Sequence, residues 1–432
     1  MDGAVIMHDR QNIFTGLEIG TDTVKVVFAG VGEDSSLRIL GFDEEPSVKM
    51  RKGEVLDTPQ IVIEQAAIAL ARACAMAGLK EAPGQFAVVL SGPFVTSGIA
   101  VKKVELPPSQ PITSDVMEAL MRQSCEDVKN MPNGEGLLDT TVNRCFHLKD
   151  REFVFNPVGQ YSPELTVETQ YFMAEPYAVK LFADVVKSVI GKRDFPTYVY
   201  APLAISSAVV RPQSSSDVQG LVIELGAGMT SIAMPTATGH LVCEQLGVGC
   251  DHIANDLDIA LDLQDIDTAR RLVREMSNMR ISALTTHDGK YRSVKINRSG
   301  GRPPAEFPCE AVEMVIEARL DEIFAVVRER LEAAKAMPFL GSSVLLSGGG
   351  ALIPGVGEIA RRHLNRPVHT AAAYDVTDMT GLFTPGPRWN MVLGAIRAAD
   401  REKRIIRAAR PYNSLWQMLH NFFYGIFYEN ND

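Results

Sequence analysis

The chain is short of whatever would make it basic, cross-linked or membrane-spanning. Its 43 Lys and Arg are outnumbered by 53 Asp and Glu, for a formal net charge of −10. That balance excludes nucleic acid as the main partner, because phosphate backbones are bound by Lys and Arg. The six cysteines, Cys74, Cys125, Cys145, Cys243, Cys250 and Cys309, include no CxxC pair. They read as reduced, mostly buried thiols of a cytosolic protein and argue against zinc. Eight histidines form no HxxxH pair on a convincing helix. No stretch reaches the roughly 18 uncharged apolar residues of a spanning helix. The opening MDGAVIMHDRQNIF lacks the apolar core of a signal peptide. Low-complexity segments are absent.

What is present suits a globular protein: 432 residues, 46% hydrophobic and 22% charged. The length allows about three domain-sized units and a sizeable core. Two segments repeat each other, GLEIGTDTVKVVFAG (16–30) and GLVIELGAGMTSIAMP (220–235). Each runs through an apolar stretch to an acid, one apolar residue and Gly: Glu18-Ile19-Gly20 and Glu224-Leu225-Gly226. Small or hydroxyl residues and a second alternating run follow, which reads as strand, tight turn, strand. Amides gathered in such a turn make an anion-binding concavity, and Thr21, Thr23, Thr230 and Ser231 can add hydroxyl donors. An acid at the strand end can hold the water shell of Mg²⁺. One such hairpin would be ordinary; two in matching register predict related halves clamping a polyphosphate. A third glycine cluster, Ser347-Gly348-Gly349-Gly350, follows an apolar strand and lets a flat ring approach backbone. GxGxxG in its dinucleotide form is absent, which excludes a Rossmann site.

The order of these motifs resembles the actin/chaperone/sugar-kinase superfamily. More narrowly, the chain is similar to the FtsA family of actin-like bacterial cell-division proteins. GLEIGT (16–21), NPVGQYS (156–162), GVGCDHIANDL (247–257), VIEARLDEIFAVV (315–327) and LNRPV (364–368) carry that resemblance from about residue 12 to the end. It implies an α/β fold: an actin-like ATPase-domain duplication, two lobes around a nucleotide cleft, an FtsA-type inserted subdomain and a C-terminal amphipathic helix. It implies ATP and Mg²⁺ as cofactors. Gly20, Thr21, Thr23, Gly226, Ala227, Gly228, Thr230, Gly348, Gly349 and Gly350 would line the nucleotide site. Glu18 and Glu224 would hold metal-bound water, with no direct metal ligand. The family's second loop commonly reads DIGGGTTDI; here Glu224 replaces the first Asp, Met229 a Thr and Ser231 the second Asp. These departures predict slow or no hydrolysis and leave no confident catalytic residue. Arg270 and Arg271 are either purine contacts or solvated helix charges.

The expected organisation is 12–83 as the start of subdomain 1A, 84–164 as the inserted subdomain 1C, and 165–195 as the return to 1A. The second lobe starts as 2A at 196–250. A small subdomain 2B spans 251–319, and 320–410 returns to 2A with a closing helix. Within the insert, Ser114 or Asp115 is the expected N-cap of the helix that follows. Residues 411–432 would be a membrane-targeting helix. On a helical wheel Leu415, Leu419, Phe422 and Ile426 fall within about 60°, flanked by Trp416, Phe423 and Phe427. The basic stretch REKRIIRAAR (401–410) stands before it, as suits an interfacial anchor over anionic lipid. The same pattern suits a last core helix. The family resemblance favours the membrane, and it implies FtsZ's C-terminal peptide, other division proteins and self-association as partners, at the cytoplasmic face of the inner membrane at midcell. A PilM-like pilus-assembly protein and a sugar kinase are the alternatives.

Overall fold

The computed structural model describes residues 12–47, 50–55, 59–131, 136–191, 196–211, 218–278, 293–296, 298 and 303–408. The expected anchor, with Leu415, Trp416, Leu419, Phe422, Phe423, Ile426 and Phe427, lies outside these described residues.

Two sheets share one strand order. In the first, Ile13–Ile19, Thr23–Val31 and Leu37–Pro46 form an antiparallel meander. Phe86–Leu90 adds parallel to Ile13–Ile19, and Thr197–Tyr200 parallel to Phe86–Leu90. In the second, Leu221–Leu225, Thr230–Pro235 and His240–Leu246 form the meander. Val344–Ser347 and then Val368–Thr370 add in parallel beside Leu221–Leu225. Parallel pairing needs a long crossover, usually helical. Pro59–Ala77 and Pro176–Ile190 serve the first sheet, Cys309–Ala333 and Val356–Leu364 the second. The duplication seen in two hairpins therefore extends to both halves.

Phe86–Leu90 and Leu221–Leu225 are buried at every position, as strands covered on both faces must be. One face of the first sheet is covered by Pro59–Ala77 through Val62, Ala66, Ala69 and Ala73. That helix is long and apolar enough by composition to cross a membrane. Its alanine stripe instead lies close to the first sheet: a Cβ on Gly41 would fall 2.5 Å from the Ala73 carbonyl oxygen. Between the two sheets lies a shared layer of two helices, Ala201–Val209 and Asn390–Ala408. Val89 of the first sheet and Val222 of the second meet Ala204, Ile205, Val392 and Ile396 in one cluster.

These contacts move two expected boundaries. Thr197–Tyr200 closes the first sheet, so the second sheet begins at Leu221 rather than near 196. The closing helix, expected with the second half, also packs on Ile13–Ile19, where a Cβ on Gly16 would fall 2.8 Å from Val392 Cγ2. Val376–Asp378 likewise pairs with Leu37–Pro46 of the first sheet. After the second sheet the chain returns to its starting half through Val376–Asp378 and Asn390–Ala408, and local composition carries no mark of that return.

The insert is a four-stranded antiparallel sheet, ordered Val95–Glu105, Glu164–Ala174, Leu137–Leu148, Arg151–Val154. The expected return at residue 165 falls inside its strand Glu164–Ala174, which pairs with Val95–Glu105 along its whole length. Helix Ser114–Lys129 covers one face through Leu120, packed with Phe146, Leu165 and Val167. Its N-cap is Thr113, whose Oγ1 accepts from the Val116 N–H at 3.3 Å. Ser114 and Asp115, the expected caps, are the first two helical residues, where Asp115 complements the helix dipole.

The insert also docks on the second half. Arg144 donates from Nε to the Leu241 carbonyl at 3.2 Å and from Nη2 to the Ala334 carbonyl at 2.7 Å. It is ion-paired with Glu168. The hydrogen bond from His147 and the Arg144 guanidinium hold the Glu168 carboxyl down to about 2. Phe155 meets Phe339 edge to face at 5.3 Å.

Candidate functional site

The two meander turns are locally the same object. The Gly20 N–H donates to the Thr23 carbonyl, and the Gly226 N–H to the Met229 carbonyl, both at 3.0 Å. A Cβ at either glycine would fall 2.9 Å from that carbonyl oxygen. Glycine is therefore required at both positions, two residues after Glu18 and Glu224 respectively.

The third glycine cluster closes against the second turn. Gly348 has φ +81, and a Cβ there would lie 2.5 Å from Glu224 Oε1. Gly350 backs onto Cys250 and Leu225, whereas a Cβ on Gly349 would meet nothing within 4 Å. Gly349 thus offers bare backbone to open space.

One cleft gathers Glu18, Gly20, Thr21, Thr23, Glu224, Gly226, Ala227, Gly228, Gly348, Gly349 and Gly350. Thr230 is the exception. It is fully buried, and its hydroxyl donates to the Val248 carbonyl at 2.8 Å. Strand alternation sends Thr230 and Ser231 to opposite faces. Ser231 is also buried and donates to Glu224 Oε2 at 3.4 Å. Thr21 Oγ1 accepts from the Gly53 N–H at 2.8 Å. Arg270 lines the cleft and holds Asp251 with two bonds of 2.9 and 2.7 Å. Arg271 turns to Thr268 Oγ1 on its own helix at 2.6 Å.

Gly228, expected in the nucleotide site, also presses on the first half, where a Cβ would fall 2.4 Å from Thr21 Oγ1. Sequence reasoning missed the other residues that join the halves. Gln245 donates from Nε2 to Ser91 Oγ at 2.8 Å and accepts from the Gly92 N–H at 3.2 Å. Arg274 reaches Asp22. No local pattern marks these pairs. Lys25 was also missed, although equal steps back from the first turn place it opposite Glu18.

The charges in the cleft are crowded. Burial raises Glu18, and Lys25, bonded to its Oε1 at 3.1 Å, offsets part of that. Burial first and the Glu18 charge second push Glu224 up to about 8. The glycine cradle fits a polyphosphate. The acid pair does not fit Mg²⁺ in the way its sequence suggests. Glu18 Oε2 is buried without a hydrogen-bond partner, as an acceptor for metal-bound water would be. Yet an ammonium already sits on Oε1, and Glu224 faces the neutral Ser231.

The architecture is actin-like, two duplicated α/β halves around a cleft. It is similar to a chain of the PilM–PilN type IV pilus biogenesis complex, with TM-score 0.59 and 17% identity, over 89% of this chain and 98% of that one. In sequence it is similar to cell division protein FtsA of Pseudomonas aeruginosa, 23% identical over 85% of either chain. Against FtsA of Bacillus subtilis the identity is 25% over 92% of this chain and 86% of the relative. Against that of Escherichia coli K12 it is 23% over 92% and 94%. No family model matches the chain.

Proposed function

We propose that the chain is an ATP-binding, filament-forming cell-division protein that ties an FtsZ ring to the cytoplasmic face of the inner membrane. The observation that carries the nucleotide part is the convergence of two matched turns and Gly348–Gly350 on one cleft. The likeness to FtsA over most of the chain supports the division role.

In this reading each half contributes one turn to the polyphosphate, and Gly349 leaves room for the rest of the nucleotide. Bound nucleotide bridges the halves and favours the closed cleft, since a ligand shifts a conformational equilibrium by its preference for one state. Turnover is slow, because Met229 and the buried Ser231 supply no acid or exposed hydroxyl at the second turn. The tail at 411–432 supplies the lipid contact.

The test is a pull-down of the full chain with the C-terminal peptide of the same organism's FtsZ, alongside imaging of a fluorescent fusion. Peptide capture and a midcell band are expected. A polar or patchy signal without capture would favour pilus assembly, the second reading, which the likeness to the PilM chain supports. Diffuse fluorescence would sink both.

A further inference from the structure

Away from the cleft, the insert's sheet holds three metal-ligating side chains in mutual contact. Cys145 and His147 are two residues apart on strand Leu137–Leu148 and so share a face. Glu168, on Glu164–Ala174, is directly opposite Cys145. Cys145 Sγ is 3.6 Å from His147 Nε2 and 3.6 Å from Glu168 Oε2, and Nε2 is 2.9 Å from Glu168 Oε1. The thiol is fully buried, and the ring and carboxylate are largely so. Bonds of about 2.0–2.3 Å from one ion to S, N and O at tetrahedral angles place the ligand atoms about 3.3–3.5 Å apart. All three contacts lie within about half an ångström of that. Thiolate and imidazole select zinc-like cations over Mg²⁺ or Ca²⁺. Ligands drawn from two paired strands need no CxxC spacing, so the lack of that motif does not count against them.

We infer that Cys145, His147 and Glu168 form a binding site for a thiophilic divalent cation, zinc or its like, with a fourth position for water. The inference is independent of the nucleotide reading, since none of the three residues lines that cleft. Arg144 is the charge the cation must tolerate. It pairs with Glu168 at Oε2 and is also held by the Leu241 and Ala334 carbonyls, which leaves Oε1 to the cation once His147 gives up its bond there. A carboxylate accepts at both oxygens, so Glu168 can serve guanidinium and metal together. On binding, the Cys145 S–H bond breaks, its proton passes to solvent and a sulfur–metal bond forms. His147 ligates through Nε2 with its proton on Nδ1, and no electron is transferred. The ion ties the two strands together beside the contact through which Arg144 docks the insert on the second half.

The experiment uses the full chain, stripped with EDTA, freed of the chelator and titrated with Co²⁺, whose thiolate complexes show a charge-transfer band in the near ultraviolet. The parent should develop that band with one equivalent and lose it when Zn²⁺ displaces the cobalt. Cys145→Ser should not develop it. His147→Gln should bind Zn²⁺ at least about tenfold more weakly by calorimetry. A folded parent with no thiolate band at stoichiometric Co²⁺ would overturn the inference. A band that survives in Cys145→Ser would place the cation at another thiol, such as Cys250 in the cleft, and overturn it equally. If Cys145→Ser does not fold, His147→Gln decides, and Zn²⁺ affinity equal to the parent's overturns the site.

Discussion

Arg274 Nη1 donates to Asp22 Oδ1 at 2.7 Å, joining two residues 252 positions apart across the mouth of the cleft. Asp22 is in the first turn, and Arg274 is on helix Ile266–Asn278 of the second half. Both side chains are partly exposed, 29% and 43%. Partly exposed pairs of this kind are worth about 0–1 kcal/mol, which suits a contact that must break when the cleft opens. Arg274→Ala should therefore cost less than about 1 kcal/mol in urea unfolding. Its halves should part more readily, with faster proteolysis of the nucleotide-free protein. A large stability loss would show instead that the pair is a fixed strut.

Gly349 is the cleanest probe of the cleft. Gly226→Val would strain the hairpin itself, because a Cβ there falls 2.9 Å from the Met229 carbonyl oxygen. Gly349→Leu projects into open space, so the melting temperature should hold while ATP affinity falls at least about tenfold, or 1.4 kcal/mol. Undiminished ATP binding by calorimetry would mean that the ligand does not approach this loop.

His240 gives the stability a pH dependence. Its Nε2 lies 2.9 Å from Ser206 Oγ, linking the second sheet to the central helical layer. Burial, and then the charge of Arg401, push the imidazole down to about 4. The folded state thus binds the proton more weakly than the unfolded chain, whose histidine titrates near 6.5. The stability from the neutral ring is fully present above pH 6.5 and is lost as pH falls toward 4. The loss is on the order of 3 kcal/mol. Urea midpoints measured over that window should fall for the parent and change less for His240→Gln. Parallel curves for the two proteins would remove His240 as the cause.

Residues 411–432, the expected anchor, lie outside the described residues. One amphipathic segment binds lipid reversibly, much as one acyl chain does at about 10⁴ M⁻¹. Many tails on one filament bind far more tightly, because each later insertion is intramolecular. Trp416→Glu or Phe423→Glu should abolish liposome flotation and leave ATP binding intact. Removal of residues 411–432 should leave a folded body. A marked drop in melting temperature on truncation would make the segment a core helix.

The sequence alone determined the paired hairpins. Alternation, a glycine turn and an acid two residues before it are local properties, so Glu18, Gly20, Glu224 and Gly226 are legible in the sequence itself. The glycines of 348–350 were legible as a cluster, but their division of labour was not. Only packing decided that Gly348 backs onto Glu224 and Gly350 onto Cys250, leaving Gly349 bare. Thr230 was expected to line the nucleotide site; the sheet it joins turns its hydroxyl to the Val248 carbonyl instead.

Tertiary structure alone decided which segments belong together. The return of Asn390–Ala408 to the first half and the docking of the insert through Arg144 are contacts between distant parts of the chain. So is the bridge from Arg274 to Asp22. A helix's apolar stripe states that it must be covered, not by what. The partner is chosen by complementary shape and charge once both sheets exist, and neither property is written in any one stretch of the sequence.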